Sequence, residues 1–123
     1  MEIRVSTLAH TWLIDVDGTV LAHNGHLQGE DRLLPGVREF WRLIPDGDVV
    51  ILLSARKESE REATLARIEA HGLRYNQAIF GLPTGERILI NDSKPGGLVT
   101  ALAVSVARDA GLEAVGVAID PTL

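Results

Sequence analysis

A single α/β domain on a parallel sheet is the architecture this sequence predicts, on three observations. Apolar runs at residues 12–14, 49–53 and 88–90 each end at a polar or acidic residue, Asp15, Ser54 and Asp92. Helical patterns separate the first two runs, and right-handed crossovers would bring all three ends to one edge of a parallel sheet. The length, 123 residues, provides for one core but leaves no room for a second domain over a substrate.

Residues 11–14 suit a strand buried on both faces. Residues 20–34 follow as a long polar loop or a small hairpin, and a connection of that length next to acidic residues is expected to cover a site. Pro35 opens a helix as a first-turn proline, Val37, Phe40, Trp41 and Ile44 form its apolar stripe, and Pro45 ends it. Residues 49–53 are apolar throughout and give the strongest strand. Ser59 with Glu62 has the form of a capping box, so a second helix is expected over about 60–71, with Leu65 and Ile68 buried and Gly72 as its stop. Residues 78–80 and 87–90 are further strand candidates. Residues 98–107 fit a helical face or a strand, and their β-branched content favours a strand over about 100–106. Residues 115–119 fit an edge strand, a tail or an association surface.

Composition narrows the function classes. The net charge of −5 argues against non-specific binding to nucleic acid or to an anionic membrane. With no cysteine in the chain, disulfides, thiolate metal sites and a cysteine nucleophile are excluded. Met1-Glu2-Ile3-Arg4 lacks the apolar core of a signal peptide, and no run approaches the ~18 apolar residues of a membrane span. A soluble, cytoplasmic protein is the expectation.

The stretch that carries chemistry is Asp15-Val16-Asp17-Gly18-Thr19. On an extended backbone, Asp15 and Asp17 point the same way while Val16 points into the core. Their mutual repulsion would be relieved by a hard cation such as Mg²⁺. On its own, Asp-x-Asp-Gly also reads as an ordinary turn or part of a calcium loop. Two carboxylates, a hydroxyl from a second strand and a carboxylate from a third together suit phosphoryl transfer.

Asp15-Val16-Asp17-Gly18-Thr19 resembles the first motif of the haloacid dehalogenase-like phosphohydrolase superfamily. Leu52-Leu53-Ser54-Ala55-Arg56 resembles its second motif, and Ile88-Leu89-Ile90-Asn91-Asp92 its fourth. The blocks stand in the family's order and span residues 12–94. The resemblance implies a three-layer α/β/α Rossmann-like core of the small capless type, comprising residues 1–123. It implies that Asp15 attacks phosphorus to form an aspartyl-phosphate, and that Asp17 protonates the leaving oxygen and then activates water. Mg²⁺ would be held by Asp15, the Asp17 carbonyl and Asp92, while Gly18, Thr19, Ser54, Ala55 and Arg56 would surround the phosphate. The family's lysine before the fourth motif is missing here. Lys94 is the expected substitute and Arg87 the other candidate.

The substrate implied is a small phosphorylated metabolite such as a sugar phosphate. Capless members of the family also form homo-oligomers, for which loop 20–34 and residues 114–119 are the available surfaces. A non-catalytic phosphate-binding or scaffold protein is the alternative, favoured by the missing lysine. A phospho-acceptor receiver is disfavoured, because the second apolar strand ends in Ser54 and the third in Phe80-Gly81, with no aspartate. His10 and His71 read as surface residues; His23 and His26 lie in the loop after the acidic motif, exposed or touching substrate.

Overall fold

The most strand-prone run, Val49-Val50-Ile51-Leu52-Leu53, is the middle strand of the larger sheet in the computed structural model, which describes residues 1–123. The strands are β1 (Glu2–Val5), β2 (Thr11–Asp15), β3 (Val49–Leu53), β4 (Gln77–Ile79) and β5 (Gly116–Ile119). There are two α-helices, α1 (Val37–Leu43) and α2 (Arg61–Ala70), and a short 3-10 turn lies ahead of each, at Gly25–Gln28 and Glu58–Glu60. β2, β3 and β4 form a parallel sheet in that order, and β1 pairs with β5 in a separate parallel sheet.

The steps β2 to β3 and β3 to β4 run in the same direction across the sheet, and right-handed crossovers in one direction place their helices on one face. Val37, Phe40 and Trp41 of α1 and Ile68 of α2 accordingly share a buried cluster with Ile14, Val50 and Leu52. The Trp12 indole adds an edge-on contact to Phe40, with ring centroids 5.9 Å apart. The other face of the sheet is bare. Leu13 is 48% exposed and Ile79 42% exposed, with Val49 also open to water. The parallel α/β arrangement is therefore observed with two layers, and β2 is buried on one face rather than two.

Helix ends differ from expectation in two places. Pro35 lies before α1, whose N-cap is Gly36 at φ 76°. A side chain at Gly36 would place its Cβ 2.4 Å from the Glu113 backbone nitrogen, so glycine is required there by both conformation and space. The Ser59/Glu62 capping box does not form, because the chain enters α2 through the 3-10 turn and no side chain caps the helix. Gly72, at φ 75°, stops α2 as expected.

Residues 81–115 contain no helix or strand, which corrects two expectations. Residues 87–90 are not a strand: Ile88 is 83% exposed and Ile90 91% exposed. A parallel partner for β4 needs a crossover of about a dozen residues, and only residues 80–86 are available. Residues 100–106 likewise stay irregular, since β-branched content favours a strand only where an edge is at hand to pair with. Loop 20–34 holds the small hairpin, one of its two readings, and residues 116–119 form the edge strand, one of theirs. Val20, Leu21, Ala22 and Leu34, at the two ends of the loop, are buried, and Leu21 bridges Leu33 in a small antiparallel hairpin, while residues 27–30 at its tip are exposed. Gly116–Ile119 is committed to β1. No helix is long and apolar enough to cross a membrane.

His10 is not a plain surface residue. Its Nδ1 lies 2.7 Å from Asp48 Oδ2 and its Nε2 3.0 Å from the Ser6 carbonyl, while the Trp12 indole donates to Asp48 at 2.8 Å. Burial works against the Asp48 charge, but hydrogen bonds from Trp12 and from the His10 backbone and ring outweigh it, holding the carboxyl below the usual range. A depressed carboxylate contributes stability that is fully present above its unfolded value, about 3.9, and is lost as pH falls through the folded value. Asp48→Asn is expected to cost about 1–3 kcal/mol at neutral pH. It should also flatten the stability curve below about pH 4. Urea titrations at pH 3 and pH 7 check this, and equal losses at both would contradict it.

Candidate active site

The parallel register of β2 on β3 sets Asp15 opposite Leu53, and Val16 N–H donates to the Leu53 carbonyl at 3.0 Å. Asp15 and Ser54 therefore leave the sheet at the same carboxyl edge, where open α/β sheets keep their binding sites. Beyond Asp15 the chain turns tightly. Val20 and Leu21 N–H groups both donate to the Val16 carbonyl, and Gly18 N–H donates to the Leu21 carbonyl at 2.7 Å. Gly18 sits at φ 83°, a left-handed conformation that costs other residues about 1–2 kcal/mol.

Asp15 is half-exposed, with one partner on each oxygen. Thr19 Oγ1 donates to Oδ2 at 3.0 Å, and Arg87 Nη1 donates to Oδ1 at 2.7 Å. Of the two basic candidates, Arg87 is the one that reaches the acidic motif. Lys94 is exposed and its backbone makes a local turn, donating to the Leu98 carbonyl.

Asp17 faces a different guanidinium. Arg56 Nη2 donates to Asp17 Oδ1 at 2.8 Å, and its Nε bridges both Asp17 oxygens at 3.0 and 3.1 Å. The opposite side of Arg56 grips Asp31, Nη2 to Oδ1 at 2.9 Å and Nη1 to Oδ2 at 3.0 Å, and Nη1 also donates to Thr64 Oγ1. Burial disfavours the charged guanidinium, but its bonds to Asp31 and Asp17 more than offset that and hold its pKa above the ordinary value. All five N–H donors of Arg56 are engaged, so none is left for a substrate phosphate. Its expected role in binding phosphate gives way to an internal one: it ties the acidic motif to loop 20–34 and to α2.

Ser54 is buried as well. Its Oγ accepts from Arg56 N–H at 3.0 Å and stands 3.5 Å from Asp17 Oδ2, while Ala55 next to it is exposed. Asp92 is exposed, and its carbonyl accepts from the Thr100 hydroxyl. No three acidic or histidine side chains come together as a metal cluster. As arranged, Asp15 is paired to Arg87 and Asp17 to Arg56, so the repulsion within the acidic pair is relieved by two guanidinium groups. The expected Mg²⁺ set is the Asp15 carboxylate, the Asp17 carbonyl and Asp92, and Arg87 holds Asp15 Oδ1.

Two contributors carry no signature in the sequence. Asp31 looks like any loop acid until Arg56 is seen beside it. Asp109, at φ 63°, clamps the chain after the acidic motif: its N–H donates to the Gly18 carbonyl at 2.9 Å, and its Oδ1 accepts from His23 N–H at 2.8 Å. The neighbouring Arg108 packs its Cγ where a Gly18 side chain would lie. His23 and His26 are half-buried, and His26 Nδ1 is enclosed without a partner. Compared with protein-family models, with curated proteins and with solved structures, the chain matches none of them.

Proposed function

We propose that the chain is a phosphomonoester hydrolase of the haloacid dehalogenase-like type, acting in the cytoplasm on a small phosphorylated metabolite such as a sugar phosphate. One observation carries this reading: Asp15 stands half-exposed at the carboxyl end of β2, a hydroxyl on one oxygen and a guanidinium on the other. A carboxylate so placed is an accessible oxygen nucleophile, and Arg87 beside it supplies a donor for a phosphoryl oxygen. In the reaction, an Asp15 oxygen bonds to phosphorus as the ester P–O bond breaks. Asp17 gives its proton to the leaving oxygen, for which it must turn away from Arg56. Water then cleaves the aspartyl-phosphate, giving inorganic phosphate and restoring Asp15.

Mg²⁺ belongs to the same proposal, held by Asp15, the Asp17 carbonyl and Asp92. Such an ion would have to displace the Arg87 guanidinium, 2.7 Å from Asp15 Oδ1. The bare face of the β2–β4 sheet, with Leu13, Val49 and Ile79, is where the third layer implied by the resemblance, or a second copy of the chain, would lie.

The alternative is a non-catalytic phosphate-binding or scaffold protein, and the Arg87–Asp15 pair favours it, because the nucleophile is already engaged. Incubation with p-nitrophenyl phosphate and a panel of sugar phosphates, with and without Mg²⁺, separates the two. The enzyme reading expects metal-dependent phosphate release that Asp15→Asn lowers at least about a thousandfold. Binding of phosphate without any release selects the alternative.

A further inference from the structure

Residues 83–108 touch the rest of the protein through very few polar contacts. Leu82 N–H donates to the Ser54 carbonyl, and Asp109 N–H to the Gly18 carbonyl. Between those two anchors, the Arg87–Asp15 pair is the only hydrogen bond to a residue distant in sequence. The others, Asn91 to the Thr100 carbonyl, Thr100 to the Asp92 carbonyl, Lys94 with Leu98 and with Gly97, and Ala110 with Ala107, are local. A segment with so few ties and exposed apolar residues opens readily. Ahead of its C-terminal end, where Val106 packs on the core and Arg108 Cγ lies against Gly18, one guanidinium ties it down.

That guanidinium sits on the side-chain oxygen with most to offer a cation. Thr19 occupies Asp15 Oδ2, and Oδ1 is 2.7 Å from Arg87 Nη1. A divalent ion on Oδ1 and the Arg87 charge in its observed place would be like charges in contact. We infer that Arg87 is a tethered counter-cation: it fills the seat a divalent ion would take on Asp15, so a bound ion and the observed placement of residues 83–108 exclude each other. This role rests on the ion-dependent reading above, and it makes the segment a latch that ion binding opens. An anion attracted to Arg87 would work in the same direction, drawing the guanidinium off Asp15.

The test is ion binding without turnover. Mn²⁺ affinity is measured by electron paramagnetic resonance in the unaltered chain and in Arg87→Gln, Arg87→Lys and Asp15→Asn. In parallel, trypsin cleavage after Arg87 is followed with and without Mg²⁺. Arg87→Gln is expected to bind Mn²⁺ about fivefold more tightly or better, since a half-exposed ion pair no longer competes. Arg87→Lys should stay near the unaltered chain, and Asp15→Asn should lose the site. Mg²⁺ should speed cleavage after Arg87 severalfold, because the side chain enters the protease only when it has left Asp15. Unchanged or weaker Mn²⁺ binding in Arg87→Gln, with Asp15→Asn still losing it, overturns the latch and leaves the metal site standing. Absence of Asp15-dependent binding in every variant overturns both.

Discussion

Arg56→Ala is expected to destabilise the fold by about 3–5 kcal/mol, the range for removing one partner of a buried ion pair. The Arg56 side chain is 1% exposed, with Asp17 at 16% and Asp31 at 8%. Truncation strands two carboxylates in a place built for a planar fork, and it leaves Thr64 without its donor. Most domains have only about 5–15 kcal/mol to lose, so the variant should unfold at far lower urea. Arg56→Lys should recover little, because an ammonium cannot present parallel N–H pairs to carboxylates on opposite sides. Combining Arg56→Met with Asp31→Asn should cost less than the sum of the two changes, since the second removes the charge that the first abandons. A loss below about 1 kcal/mol for Arg56→Ala would mean the triad is solvated.

Gly111→Ala carries the next largest effect. A Cβ there would lie 2.1 Å from the Pro35 carbonyl oxygen, and the residue sits at φ 80°. That carbonyl accepts from Leu112 N–H at 2.8 Å, so backbone faces backbone and neither side can yield. The expected loss is about 3 kcal/mol, from left-handed strain and forced separation together. Gly29→Ala is the control: it has φ 78° but open space around it, so only the conformational cost of about 1–2 kcal/mol applies. The consequence reaches the site, because Gly111 follows the Asp109 clamp on Gly18 and His23. Amide exchange at Gly18 and His23 should speed up in Gly111→Ala and not in Gly29→Ala. Equal destabilisation of the two variants would remove the packing argument.

Much of the larger sheet was legible because its signals are local. The run at 49–53, the stripe of Val37, Phe40 and Trp41, and the Gly72 stop each depend on residues within a turn or a strand of one another. β1 was missed for the opposite reason. Glu2–Val5 alternates charge with apolar residues, and only its pairing with Gly116–Ile119, more than a hundred residues away, makes it a strand. Residues 87–90 err in the other direction, since an apolar run states a preference for burial but not whether the connection lets it reach an edge. The site divides in the same way. Asp15, Asp17, Thr19, Ser54 and Arg56 sit close in space because two parallel strands end together, which motif order conveys. Asp31 and Asp109 join them through loop geometry that no spacing rule encodes.

The Arg56 triad also bears on chemistry. Asp17 and Ser54 are held by the same guanidinium and its backbone N–H, so the residues flanking Asp15 are fixed by internal bonds and Asp15 alone keeps an oxygen on an exposed, displaceable partner. On the proposed hydrolase reading, Arg87 and the segment that carries it would decide access to Asp15.

The most direct measurement is to identify the phosphorylated residue during turnover. The chain is mixed with a hydrolysable phosphomonoester, quenched in acid within milliseconds to seconds, and reduced with borohydride, which converts an aspartyl-phosphate to homoserine. Peptide mass analysis is expected to place homoserine at position 15, with no label in Asp15→Asn. Turnover that leaves Asp15 unmodified, or modification at another carboxylate, would contradict nucleophilic catalysis at the end of β2.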